Sequence, residues 1–203
     1  MQPSENAFEN ASTSTSRSLL ARLRANDPGA WDRLVALYAP LVWHWCQRLN
    51  LPGQDSADVF QEVWGAVATH IHAFHKESPK DTFRGWLRTI TTNKVRDHFR
   101  RLRREPMATG GTDAQMRWSQ LPETDADDEG PEANEDNHRL FQRALELIQT
   151  EFEERSWSAF WRIVVDGRSP QDVAEELAMS PGAVRVAKCR VLHRLRQELG
   201  DVI

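Results

Sequence analysis

Eight basic residues crowd into the stretch Phe83–Arg104: Arg84, Arg88, Lys94, Arg96, Arg100, Arg101, Arg103 and Arg104, against the single acid Asp97. Interleaved with them at helical intervals are Phe83, Trp86, Leu87, Ile90, Val95, Phe99 and Leu102. As one helix the stretch would run ~30 Å at ~1.5 Å per residue. It would bury one side and turn a cationic, partly aromatic side to solvent. Guanidinium and ammonium groups on such a scaffold neutralise phosphates, and aromatic faces stack on bases, so the first ligand to suspect is a nucleic acid.

Other side chains with chemical potential are weaker candidates. His70, His72 and His75 form an H-x-H-x-x-H string, but on a helix they point in spread directions and no cysteine lies nearby, so no metal is expected. The two cysteines, Cys46 and Cys189, are far apart and outside any CxxC pair, which suits a reducing compartment. No P-loop, HExxH, G-x-S-x-G or paired-carboxylate arrangement is present, which argues against an enzyme and against a resident cofactor.

The net charge of −4 conceals a segregation of sign. Residues 17–104 hold 15 bases against 8 acids, net +7, whereas residues 105–138 hold 1 base against 10 acids, net −9. Residues 139–203 balance at ten of each, and residues 1–16 carry two acids and no base. The polar opening reads as a disordered tail, without the basic and apolar regions of a signal peptide. No apolar run approaches the ~20 residues of a membrane span, so a cytoplasmic protein is expected. The stretch 105–138, with its Asp125-Ala126-Asp127-Asp128-Glu129 run and few large apolar residues, reads as a flexible acidic linker between two domains, 17–104 and 139–203. Its charge makes it a candidate mask for the basic helix.

The elements that must position these residues are all helical. Asn26-Asp27-Pro28 reads as a cap with proline at the first helical position, opening a stripe of Trp31, Leu34, Val35, Tyr38, Leu41, Val42, Trp45 and Leu49. Pro40 is expected to kink or split this helix. The next helix opens near Asp55 and buries Val59, Phe60, Val63, Val67, Ile71 and Phe74. Asp58, Gln61, Glu62 and Gly65 fall opposite, a layout that on the wheel alone is a solvated face. Residues 75–81 form a polar loop before the basic helix. Beyond the linker come an amphipathic helix with Phe141, Leu145, Ile148 and Phe152 and another with Trp157, Phe160, Trp161 and Val164; Gly167 is suited to a left-handed cap. Ser169-Pro170 and Ser180-Pro181 then repeat one helix-start signal, giving two short helices about a tight turn. The last helix keeps Val184, Ala187, Val191, Leu195 and Leu199 inward. Opposite lie Gly182, Arg185, Val186, Cys189 and His193, with Lys188 and Arg190 on the flanks. A helix-turn-helix with one base-reading arginine between phosphate clamps and a plain helical hairpin with a charged face both fit this pattern.

Taken together these segments resemble the extracytoplasmic-function (ECF) sigma factors of bacterial RNA polymerase. Asp58-Val59-Phe60-Gln61-Glu62-Val63-Trp64 is similar to the family's D-x-x-Q-E-x-(aromatic) segment, and Phe83-Arg84-Gly85-Trp86-Leu87 through Asn93 and Asp97–Arg101 to its F-R-x-W-L…N…D-x-x-R-R helix. Ser169–Leu199 is similar to its C-terminal helix-turn-helix. The resemblance implies an all-α chain with a sigma region 2-like and a sigma region 4-like domain. It implies that Asp58, Gln61, Glu62 and Trp64 dock on the clamp helices of the polymerase largest subunit, with the flap as a further contact. It implies that Arg84, Arg88, Asn93, Lys94, Arg96, Arg100 and Arg101 hold the separated strand of the minus-ten element. Ser180, Pro181, Gly182, Arg185, Lys188 and Arg190 would read the minus-thirty-five element. Trp86 and Phe83 fit the core better than a stacking platform. Ala187 stands where many relatives carry arginine, so promoter preference does not transfer. The Trp157–Trp161 helix and Val186-Ala187-Lys188-Cys189-Arg190 resemble a planctomycete-like branch associated with Ser/Thr kinases rather than with a typical anti-sigma factor; a Ser/Thr kinase is the regulator that branch implies, an anti-sigma factor the one the wider family implies. The competing function is a helix-turn-helix regulator that acts without polymerase, which would leave the Asp58–Trp64 face and the basic helix without a task.

Overall fold

The computed structural model describes residues 19–49, 51, 53–78, 81–104 and 131–200. Among these every regular element is helical, as expected: α1 (residues 19–24), α2 (Pro28–Arg48), α3 (Gly53–His70), α4 (Phe83–Arg104), α5 (Pro131–Gln149), α6 (Glu154–Val164), α7 (Pro170–Glu176) and α8 (Pro181–Leu199), with a 3-10 turn at Ile71–Ala73. They form two compact units that divide within α5, after Arg139. The expectations for residues 1–16 and for the linker over 105–130 lie outside the described residues.

In the N-terminal unit, α2 starts as its sequence dictates. Asp27 caps it, Oδ1 accepting from the Gly29 N–H at 2.9 Å, with Pro28 in the first turn. Pro40 does not split the helix. It forfeits one backbone donor, yet Leu37, Tyr38, Leu41 and Val42 around it are all buried, and that burial holds the helix continuous to Arg48.

α3 and α4 pack through matching ridges. On α3, Val59, Val63 and Val67 are fully buried at every fourth position, and Ile71 continues the row. On α4 the row is Phe83, Leu87, Thr91, Val95 and Phe99. Rows at this spacing are the ridges that interdigitate between helices. Thr91, absent from the apolar pattern, sits inside because its hydroxyl donates to the Leu87 carbonyl at 2.9 Å and leaves no donor unmade. Ile90, expected inward, is only half-buried. The loop before α4 is closed by Asp81, whose Oδ2 accepts from the backbone N–H of Glu77 at 3.0 Å and of Ser78 at 2.6 Å. The Thr82 hydroxyl then accepts from the Gly85 N–H at 3.0 Å, satisfying a first-turn donor of α4.

The C-terminal unit repeats one device twice. Ser169 caps α7 by accepting from the Asp172 N–H, and Ser180 caps α8 by accepting from the Ala183 N–H, each followed by proline. Ala159, Val173, Ala174, Val184 and Ala187 form the shared core, with Ile163, Leu177 and Met179 against it. Small side chains there let the helices approach closely. The tight turn puts Ala178 at φ 49°, and Gly167 takes the left-handed cap at φ 67°. Arg155 anchors the turn, donating to the carbonyls of Leu177 (2.8 Å) and Ala178.

Candidate nucleic-acid interface

The outer face of α8 is the most open of the three surfaces. Ser180, Pro181, Gly182, Arg185 and Arg190 are exposed, and Lys188 is half-buried beside the inward Ala187. Val186 is 49% exposed and Cys189 is exposed on the same side. Arg185, Lys188 and Arg190 form no ion pair with any described residue, so their charges face solvent. Other cations of this unit are committed: Arg194 pairs with Glu151 (2.6 Å) and Glu198 (2.7 Å), and Arg162 and Arg168 with Glu176 (2.9 and 2.8 Å), whereas Arg196, a turn and a half beyond Arg190, is exposed. A capped helix held by its inner face, with uncompensated cations outside, has the shape and field to enter a major groove.

On α3, Asp58 and Gln61 are exposed and Glu62 is partly so. Glu62 is not isolated: Oε1 accepts from Arg101 at 2.6 Å and Oε2 lies 4.0 Å from Lys94, both on α4. The carboxylate and amide face of one helix thus abuts the cations of the next. Trp64 is half-buried, its ring 6.1 Å from Phe60, which in turn lies 6.0 Å from Trp43. These rings form a row beside the carboxylates; Phe60, expected inward, is only half-buried, and Trp43 is a member that the apolar pattern did not single out.

The basic helix α4 divides into two halves. Toward its C-terminal end, Asn93, Arg100 and Arg101 are exposed and Lys94 and Arg96 half-buried, with Arg100 2.9 Å from Asp97. At its N-terminal end the arginines are not open. Arg84 is 3% exposed; its guanidinium donates to the Ala133 carbonyl at 2.9 Å and lies 4.0 Å from Asp136. Arg88 reaches Glu132 at 2.5 Å and Asp136 at 3.7 Å. Asp136 is itself buried and accepts from the Trp45 indole N–H at 2.9 Å. Burial pushes its carboxyl above the usual range, against the pull of Trp45, Arg88 and Arg84. Glu132, held by Arg88 and also 2.8 Å from Arg48, goes the other way and is lowered. So the part of the acidic segment that read as linker, residues 131–138, is helical and packed on the N-terminal unit, and Arg84 does not present its charge to solvent as expected. Phe83 and Trp86 lie in an aromatic cluster with Phe74 and Tyr38, ring centroids 5.1–5.6 Å apart.

His70, His72 and His75 are all exposed, and among the described residues no cluster of His, Cys, Asp or Glu is arranged to hold a metal. Burial raises the Cys46 thiol to about 11, the behaviour of an inert core cysteine.

Comparison with known proteins decides the family. The Sigma-70 region 2 family matches residues 34–105, from within α2 through α4. ECF RNA polymerase sigma factor ShbA of Streptomyces griseus is 32% identical over 187 residues, 88% of this chain and 92% of ShbA. The chain belongs to the ECF RNA polymerase sigma factors. ECF RNA polymerase sigma factor SigE of Mycolicibacterium smegmatis is 30% identical over 86% of this chain, which spans 62% of SigE's own length. RNA polymerase sigma factor CarQ of Myxococcus xanthus is 27% identical over 90% of this chain and 97% of CarQ. For a sigma factor the three surfaces have an order: one helical face beside a basic helix in the N-terminal unit, and a separate cationic helix in the C-terminal unit. No described helix is long and apolar enough to cross a membrane.

Proposed function

We propose that this sigma factor docks on core RNA polymerase through Asp58, Gln61, Glu62 and Trp64, holds the melted minus-ten strand along α4, and reads the minus-thirty-five element with α8. It does so in the cytoplasm, as a specificity subunit without a reaction of its own. The observation that carries this reading is the outer face of α8, where Arg185, Lys188 and Arg190 lack described ion-pair partners while Arg162, Arg168 and Arg194 have them. Arg185 is the base reader: a guanidinium forks onto two acceptors of one guanine in the major groove. Lys188 and Arg190 flank it as phosphate clamps. Along α4 the exposed Asn93, Arg100 and Arg101 meet the strand first, with Lys94 and Arg96 behind them. The regulator, an anti-sigma factor or a Ser/Thr kinase, would act on this sequence of contacts.

Footprinting of the reconstituted holoenzyme tests it. Arg185→Ala is expected to weaken upstream-element binding by about 1–3 kcal/mol and to relax preference at one base pair. Unchanged upstream protection and unchanged preference would overturn the assignment.

A further inference from the structure

Arg48, Arg84 and Arg88 converge on the first turns of α5, and the groups they meet there are those an oligoanion would offer. Glu132 bridges Arg88 (2.5 Å) and Arg48 (2.8 Å). Asp136 lies 3.7 Å from Arg88 and 4.0 Å from Arg84, and a backbone carbonyl, that of Ala133, takes a further Arg84 donor. Two carboxylates about one turn apart on α5 thus fill the donor directions of cations on α2 and α4, as successive phosphates of a strand would.

The contact has two layers. The inner one, Arg84 with Asp136 and Trp45, is almost fully enclosed and belongs to the packing of the unit. The outer one is built from groups that solvent reaches: Glu132 is 50% exposed, Arg48 42% and Arg88 15%. Exposed pairs of this kind are individually weak and yield to a competing polyanion.

We infer that the start of α5 is a clasp that occupies, in the free protein, cations of α2 and α4 that a single DNA strand would otherwise neutralise. This rests on the reading of α4 as the strand-holding helix. The clasp makes Arg88 unavailable until Glu132 lets go, so strand binding and clasp closure compete for one guanidinium. Free protein is held back from stray single strands, and Arg88 joins the cationic track of α4 only when something else draws the outer turn of α5, at Glu132, away.

The full-length protein, free of polymerase, is titrated into a fluorescein-labelled single-stranded oligonucleotide and followed by anisotropy at several salt concentrations. Glu132→Lys, a change at a solvent-reached side chain, is expected to tighten binding about 10-fold or more and to steepen the salt dependence by roughly one phosphate contact. Glu132→Gln is expected to give a smaller gain in the same direction. Adding Arg88→Gln to Glu132→Lys is expected to remove most of the gain, which a mere change in net charge would not. Equal affinities for wild type and both Glu132 variants, or a gain that survives Arg88→Gln, overturns the clasp. Failure of the underlying reading is seen separately: in the holoenzyme, Arg88→Gln is expected to reduce permanganate-detected promoter opening, and an undiminished signal there rejects the role of α4 itself.

Discussion

Reversing two charges on α3, Asp58→Arg with Glu62→Arg, is expected to abolish retention of the protein on immobilised core RNA polymerase while its far-ultraviolet circular dichroism stays helical. The first half follows from placing two cations where a docking surface of carboxylates and an amide is proposed; like-charge juxtaposition at an interface costs several kcal/mol and suppresses association. The second half follows from the geometry of Glu62. Its bond to Arg101 is made between partly exposed side chains, 31% and 55%, and such pairs contribute about 0–1 kcal/mol to folding. In the variant the introduced guanidinium on α3 would face Arg101 and Lys94, but long exposed side chains can swing apart. The measurement is a pull-down at physiological salt, with thermal melting of the free protein alongside. Retention equal to that of the wild type, with an unchanged melt, would contradict the docking role.

Phe83→Ala is expected to destabilise the N-terminal unit by about 3–5 kcal/mol, more than any substitution on the outer faces. Phe83 is 2% exposed and is the hub of the aromatic cluster, 5.1 Å from Tyr38, 5.6 Å from Phe74 and 5.4 Å from Trp86. Its removal opens a cavity between α2 and α4 that the surrounding rings, braced on one another, fill only in part. Trp86→Ala is expected to cost less, because that ring is only half-buried. Urea unfolding of both variants reads the difference. An equal or larger loss for Trp86 would reverse the ranking of core and surface on this helix.

Helix starts were legible in the sequence because the chemistry that makes them is local. Asp27-Pro28, Ser169-Pro170 and Ser180-Pro181 each supply a side-chain acceptor and a residue with a preset φ within two positions, and each opens a helix where expected. The inward face of α8 was equally legible, since Val184, Ala187, Val191, Leu195 and Leu199 keep one periodicity and all are buried.

The start of α5 was not legible for the opposite reason. Pro131-Glu132 carries a modest start signal, proline then an acid in the first turn, but it lies at the end of an acidic run whose composition outweighs it. What makes these residues helical and packed is the fit of Ala133 and Asp136 against Arg84, Arg88 and Trp45, partners far off in the chain. Arg84 illustrates the same limit from the other side. An arginine in a basic stretch reads as surface, and only the tertiary arrangement reveals a carbonyl and a carboxylate that make burial tolerable. Thr91 is likewise inside α4's packed side without belonging to an apolar pattern, satisfied by the carbonyl of Leu87 in its own helix. Hydrophobic periodicity finds the apolar members of a core and is blind to a polar one, such as Thr91, that carries its partner with it.

Whether this chain directs core RNA polymerase to promoters is read most directly by transcription in vitro from fragmented genomic DNA, with core RNA polymerase, with and without this protein, and with start sites mapped. Discrete new start sites that require both components are expected, each preceded by shared minus-thirty-five and minus-ten elements, with weak binding of the same DNA by the protein alone. Tight, sequence-specific binding to duplex DNA without polymerase, together with no new start sites when polymerase is present, would contradict that role.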